Sequence, residues 1–475
     1  MAIPKEILEI ERPVNTVVKA SRTPDVYSVV KRTSKRIPGK KNPQPIELGV
    51  IGKIAHGRYI PNPEKPIYEV DFKIYGPTAL CHKVGQSIYD DLLRFYQIED
   101  ARKIYCIAIL RAIEPEITND EIEVEYKTSF LSEIFPKVSL SANTISSFLD
   151  ETGKHLCIIN DFMNDRIRQY SGNPTVIDGM LKSNISFTNT MSEFSRKGRI
   201  KNTEDISCIY AYDLVVHEPV AFSVYPGNML DFTSFRSFLD EHPIENGFLI
   251  MDKGFDDFLS KEEIKKLDTK YLIPIKNSSK LIKEYNLDKS YTNSFKYEED
   301  SIRCKCIAVS ENKYLYAFKS SEMKACQDKI YVENNIEKGS FKEATYEKKE
   351  SYFGLIVFES NAKLDLKDVY RAYQERWNIE VLFNNYKNII GRHEVNVQGN
   401  YRLFATEFIN FISSIISLRI KRLIEKKELN KCYTQRQIMR MLLKYAKRRR
   451  AKKSDLWVDC ARLKYIKEMC DQLGV

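Results

Sequence analysis

Four side chains able to do chemistry fall within fifteen residues: Tyr373, Arg376, Glu380 and Lys387, at offsets of three, seven and fourteen. At about 100° per residue, a helix brings these offsets within about 60° of one another. One face then carries a phenol, a guanidinium, a carboxylate and an ammonium. Trp377, Val381 and Leu382 turn to the flank and back, as a docked helix requires, and Phe383 falls nearer the polar stripe. Arg376 and Glu380 also have the spacing of an ordinary surface pair, worth about 0.3–0.5 kcal/mol. A carboxylate flanked by cations on its own face suits a different job, holding a phosphate beside a metal ligand.

Two more carboxylates stand where strands are expected to end. PTVIDG reads as a short apolar strand closing on Asp178-Gly179, and GFLIMDKGF as another closing on Asp252. At a strand end a side chain leaves the sheet without burying charge. Cutting and rejoining a phosphodiester requires charge stabilisation on both attacking and leaving oxygens, which two divalent ions about 3.5–4 Å apart supply. Asp178, Asp252 and Glu380 offer the hard oxygens that Mg²⁺ or Mn²⁺ takes. Three converging carboxylates raise one another's pKa, so such a trio makes little sense without a cation. Other readings stand beside this one. Asp-Gly is a common turn, Asp252 also fits a cap, and Asp161, Asp205 and Asp213 are rival first acids.

Tyr-x2-Arg-x3-Glu-x6-Lys is matched here at all four positions. The pattern resembles the signature of DDE transposases of bacterial insertion sequences, the insertion-sequence-four group. The resemblance implies a ribonuclease-H-like fold, in which the first strand and a later parallel strand each end in a catalytic Asp. A helix after the sheet supplies the third acid. Asp178, Asp252 and Glu380 are then the catalytic residues and the ligands of two Mg²⁺ (or Mn²⁺) ions, while Tyr373, Arg376 and Lys387 contact DNA phosphate. The implied reaction is hydrolysis at terminal inverted repeats to expose a 3′-OH. That hydroxyl attacks target DNA, or first the opposite strand to form a hairpin. Two ends held together imply a homodimer on double-stranded DNA. Some members use a tryptophan in an insertion to stack on a flipped base. Trp377 and Trp457 lie outside the corresponding stretch here, which leaves Tyr314 or Tyr316 for that role.

The elements that must position these residues follow from periodicity. Residues 20–75 give short β-branched runs, with Arg32, Lys35, Arg36, Lys40 and Lys41 crowding the first connection, a candidate DNA-backbone contact or a solvated loop. Residues 85–165 keep apolar positions three and four apart, as helices do. Two short helices around a turn there suit either DNA reading or plain packing, with Gly153 closing the second. From 175 the order is strand, hairpin, helix, strand, helix, strand: a mixed sheet with helices on its faces. Polar residues 277–350 read as a β-rich insertion, 351–360 as a return to the core, and 401–425 as a long amphipathic helix. The end is basic, with Arg448, Arg449 and Arg450 in a run expected to be a DNA-contacting tail or a solvated terminus.

The fold class is therefore α/β: a ribonuclease-H-like mixed-sheet core interrupted by a β-rich insertion, with N-terminal β-rich and helical DNA-binding segments. The boundaries read 1–80, 81–168, 169–276, 277–350, 351–430 and 431–475. A chain of 475 residues, 43% hydrophobic, can bury a large core, which excludes wholesale disorder. Its +10 charge collects near the N-terminus and in the last third, pointing to a polyanion. Ten scattered cysteines form no zinc pattern and read as reduced core residues. MAIPKEILEIERP lacks the apolar core of a signal peptide, and FINFISSIISLRI at 408–420, short and serine-rich for a bilayer span, reads as a buried helix. These features predict a cytoplasmic protein with no membrane partner, and the resemblance implies a bacterial, nucleoid-associated one. Two rival functions remain: a ribonuclease-H-like nuclease without strand transfer, and a catalytically inactive DNA-binding regulator.

Overall fold

Alternating β-branched residues near the N-terminus form a four-stranded antiparallel meander: β1 (Thr16–Ala20), β2 (Tyr27–Lys35), β3 (Gln44–Ala55) and β4 (Arg58–Pro61). The computed structural model describes residues 3–475 except 37–41, 63–69, 195–203, 230, 245–246, 252–268, 377, 385–393, 451–455 and 461. Val18, Val29 and Ile54 bury one face of the meander against Ile3, Ile7 and Ile10. His56 and Gly57, at φ +53° and +70°, make the two-residue turn into β4 that matches strand twist. Beyond Val30, β2 faces solvent: Lys31, Arg32 and Lys35 are exposed, as is Arg36 after it. Met1–Val70, with Arg450–Ser454, forms one unit and the rest of the chain a second.

The second unit is built on one helix, Asn400–Lys426. Its composition and length would suffice to cross a membrane, yet 89% of its apolar window is buried inside the protein. The sequence suggested a long amphipathic helix with a buried stretch at 408–420, and burial runs almost all round from Leu403 to Ile420, because the helices Gly76–Phe95, Ile98–Ile113 and Ala142–Lys154 wrap it on one side and the sheet covers it on the other. Gly153 does not terminate its helix, which runs on to Lys154. Its role is close approach: a Cβ at this position would lie 1.8 Å from the Tyr401 carbonyl oxygen.

The large sheet contains β6 (Pro174–Asn184), β7 (Glu193–Phe194), β8 (Glu204–Asp213), β9 (Glu218–Pro226), β10 (Phe248–Met251), β11 (Lys270–Pro274), β12 (Asn293–Tyr297), β13 (Asp300–Ser310), β14 (Lys313–Ser320), β15 (Leu355–Ser360) and β16 (Glu394–Val395). The order is β12-β13-β14-β15-β11-β10-β6-β8-β7, with β9 on β8 and β16 on β6. Strands β6, β10 and β11 run parallel and their neighbours β8 and β15 antiparallel, the mixed sheet that the pattern predicted. Strands β12 to β14 extend this sheet through β15. The expected β-rich insertion is only half β. Ser321–Glu337 and Glu343–Glu350 are helices, where charged helix formers outweigh the short KIYVE run. Tyr316 is buried, its hydroxyl bonded to Leu364 N at 2.6 Å, which removes it as a stacking platform.

A third, small sheet joins β17 (Ala446–Arg450), β18 (Val458–Asp459) and β5 (Val70–Ile74). All ten cysteines are free thiols.

Two measurements probe this scaffold. Gly153→Ala should cost about 3 kcal/mol in urea unfolding, because backbone rather than a pliable side chain blocks the new methyl. The second concerns His242, fully buried, which joins Asn164 Oδ1 at 2.8 Å and Ser223 Oγ at 3.1 Å. Burial pushes its imidazole down to about 4. Between about pH 6.5 and 4 the unfolded chain takes up a proton that the folded one refuses, so stability present above this window is lost as pH falls. Urea melts should show a loss of about 3 kcal/mol there, with His242→Gln flattening the dependence.

Candidate active site

The parallel pairing of β6 with β10 aligns Phe248 with Pro174 and ends with Met251 opposite Ile177. The next residue along each strand is an aspartate, Asp178 in β6 and Asp252 after β10. Asp252 itself lies outside the described residues. Asp178 is half-buried, and its Oδ1 accepts the Gly179 N–H at 2.8 Å. The strand does not end there, as PTVIDG suggested, and Asp178-Gly179 is not a turn. Strand β6 continues to Asn184, held by β8, with Asp178 opposite Tyr210. Asp178 follows the last described β10 pair, Ile177 with Met251.

Tyr210 links Asp178 to the third acid. Paired antiparallel residues share a face of the sheet. On that face the Tyr210 ring meets Phe383 edge-on, at 5.9 Å between centroids. Phe383 belongs to the helix Asn378–Asn384, which lies against β6 and carries Glu380. Ile379 and Leu382 are fully buried and seat this helix, while Glu380 is exposed. Asp178 and Glu380 thus project from adjoining elements on one side of the sheet.

The polar stripe is divided differently from the sequence expectation. The helix holding Tyr373 is Leu366–Glu375, capped at its start by the Asp365 side chain, and Arg376 closes it. Glu380 stands on the next helix. No Gly or Pro marks the division, so periodicity reads through it. Tyr373 packs edge-on against Phe358 of β15 at 4.6 Å. The Arg376 guanidinium lies 5.3 Å over the Tyr373 ring and its side chain is largely buried. Lys387 lies outside the described residues. Among the described residues no group of three or more His, Cys, Asp or Glu is gathered for a metal ion.

The rival acids have structural explanations. Asp213, 1% exposed, accepts from Asn173 Nδ2 at 2.9 Å and caps Val215 and Val216 N–H at 2.7 and 2.9 Å. Asp205 is buried, which raises its pKa, and Asp161 sits exposed on the helix Leu156–Gln169.

The basic candidates fare unequally. Arg32, Lys35 and Arg36 are exposed, while Lys40 and Lys41 lie outside the described residues. The C-terminal run is no loose tail. In β17, Arg449 pairs with Asp71 at 3.1 Å and Glu133 at 3.3 Å and stacks 4.6 Å from the Trp457 ring. Lys447 sits 3.6 Å from the Tyr75 ring. Arg448, on the alternate face, is exposed, and the Arg450 side chain is not among those described. The acidic partners at 71 and 133 are remote in sequence, so the run gave no sign of them.

Residues 183–415 match the family model of the transposase DDE domain. The matched stretch is just under half of the chain and includes Asp252, Tyr373, Arg376, Glu380 and Lys387, while Asp178 lies five residues before it. No curated protein matches. Among solved structures, the chain is similar to a piggyBac transposase in a synaptic complex with hairpin DNA, at 12% identity over 78% of this chain and 80% of that one, with a TM-score of 0.37.

The docking of the Glu380 helix can be tested directly. Phe383→Ala should loosen it by about 2 kcal/mol, below the full cost of a wholly buried phenylalanine. Amide hydrogen exchange at residues 379–384 should accelerate while β6 and β8 stay protected.

Proposed function

We propose that this protein is a DNA transposase with a ribonuclease-H-like core, in the group that the Tyr-Arg-Glu-Lys pattern resembles. It binds the terminal inverted repeats of its element, hydrolyses the strand at each end, and transfers the 3′-OH to target DNA. Asp178, Asp252 and Glu380 are its catalytic carboxylates. The observation that carries this reading is the β6–β10 register, which sets Met251 opposite Ile177, the residues before the two aspartates, with the Glu380 helix docked on the register partner of Asp178. The match of residues 183–415 to the transposase DDE domain supports it independently.

The residues suit a divalent cation. Asp178 and Glu380 present carboxylates at the surface of the sheet rather than within it, where an ion and a phosphate have access. Mg²⁺ or Mn²⁺ held by Asp178, Asp252 and Glu380, two ions per site, supplies charge stabilisation at the attacking and leaving oxygens when bound. Arg376, stacked on Tyr373, has few rotamers left to lose and holds a phosphate at low entropic cost, with Lys387 as a second cation. The exposed Lys31, Arg32, Lys35 and Arg36 grip the backbone of the DNA, as does Arg448. A homodimer brings two ends together, in a bacterial cytoplasm at the nucleoid.

The test is Mg²⁺-dependent nicking of DNA carrying the element's ends, followed by strand joining with pre-cleaved ends. Asp178→Asn, Asp252→Asn and Glu380→Gln should each lower nicking by at least about 10²-fold with DNA affinity retained. Nicking without joining identifies a nuclease instead. Binding that is indifferent to metal, with no nicking, identifies a regulator.

A further inference from the structure

Strand β9, the helix Leu156–Gln169 and the helix Asp231–Glu241 enclose a cavity of about 370 Å³ that none of the proposed catalytic residues lines. The volume lies in the usual range for small-ligand sites. Three of the ten methionines meet there, Met163, Met191 and Met229, beside the rings of Phe222 and of Phe404 from the long helix. Met163 is buried, while Met191 and Met229 are half-buried and leave the cavity open to solvent on their side. The described lining holds no lysine, arginine or histidine and a single carboxylate, Glu241.

That carboxylate is fixed at both ends. Its Oε2 accepts from Ser223 Oγ at 2.6 Å, and the Glu241 carbonyl accepts from Asn164 Nδ2 at 3.2 Å. Ser223 and Asn164 are joined in turn through His242. Nothing in this network answers the negative charge. Glu241 makes no ion pair with a described residue, and His242, whose burial pushes it down to about 4, is neutral at pH 7. A phosphate would be repelled here, and a purely apolar ligand would strip water from the carboxylate without replacing it. An ammonium ion satisfies both parts of the lining, because ring faces and polarisable thioethers accept its alkyl groups while the carboxylate takes its charge.

We infer that this cavity binds an organic ammonium ion with an apolar body, its charge against Glu241 and its body among the methionines and the two rings. The site stands apart from the phosphodiester chemistry, and the inference does not rest on the transposase reading.

The experiment is a titration of the full chain, labelled with ¹³C at the methionine methyls, with benzyltrimethylammonium. The Met163, Met191 and Met229 signals, assigned by single Met→Leu variants, should shift saturably. Uncharged benzyl alcohol and tetramethylammonium, which lacks the apolar body, should each bind more weakly. Glu241→Gln keeps an acceptor for Ser223 and should lower the affinity for benzyltrimethylammonium at least about 5-fold, with benzyl alcohol unaffected. If Glu241→Gln lowers the urea midpoint, Asn160→Lys, at the half-buried rim, supplies a competing cation and should abolish binding of the ammonium ion while benzyl alcohol still enters. Three unmoved methionine signals overturn the inference. So does benzyl alcohol binding as tightly as the ammonium ion, or affinity unaltered in both variants.

Discussion

A lysine and a glutamate, both buried, fasten the sheet to the helix beneath it. Lys182 in β6 is 1% exposed and pairs with Glu407 of the Asn400–Lys426 helix, 3% exposed. Glu407 also accepts from Asn410 Nδ2 at 3.3 Å, and Asn410 Oδ1 accepts from the Arg111 guanidinium at 3.0 Å. A charge left alone at such depth costs several kcal/mol, so the pair adds little net stability but penalises every arrangement that separates it. That makes it a device for register. Asp178, Met180 and Lys182 alternate onto one face of β6. A slip of one residue would break the ion pair and send Asp178 to the opposite face, away from the Glu380 helix.

A second buried knot acts twelve residues further along the same helix, at Arg419. Glu218, at the start of β9, takes both arms of Arg419 at 2.7 and 3.0 Å and Arg166 at 3.3 Å. Between the two knots the contacts are apolar: Phe411 of the long helix on Phe222 at 5.4 Å, and Phe222 beside Tyr210. Apolar packing supplies most of the adhesion but tolerates sliding. The charges fix where along the sheet the adhesion is made. Phe383 then lands on Tyr210, so the position of Glu380 descends from the same register.

Charge that is free and charge that is spent are sorted by what lies beside them. Along β2, solvent-facing lysines and arginines remain available to a polyanion. In β17, strand alternation turns Lys447 and Arg449 inward onto aromatic rings and acids and leaves Arg448 outside. One basic run therefore serves two purposes, and only the pleat separates them.

Much of this was legible in the residues themselves. Apolar runs and turn residues gave the mixed sheet, the β8–β9 hairpin and the helical layer, because local periodicity reports directly which face is buried. Other features depended on partners far away in the chain. That β6 runs on past Asp178 depends on β8, that Gly153 is a contact point depends on Tyr401, and that Arg449 is occupied depends on Asp71 and Glu133. The division at Arg376 and the half-helical insertion carry no local mark at all. Sequence by itself determined which side chains have chemistry to offer and which faces must be buried. Tertiary structure decided which of them stand on one side of the sheet, because burial of charge and ring packing select among registers that local pattern leaves equivalent.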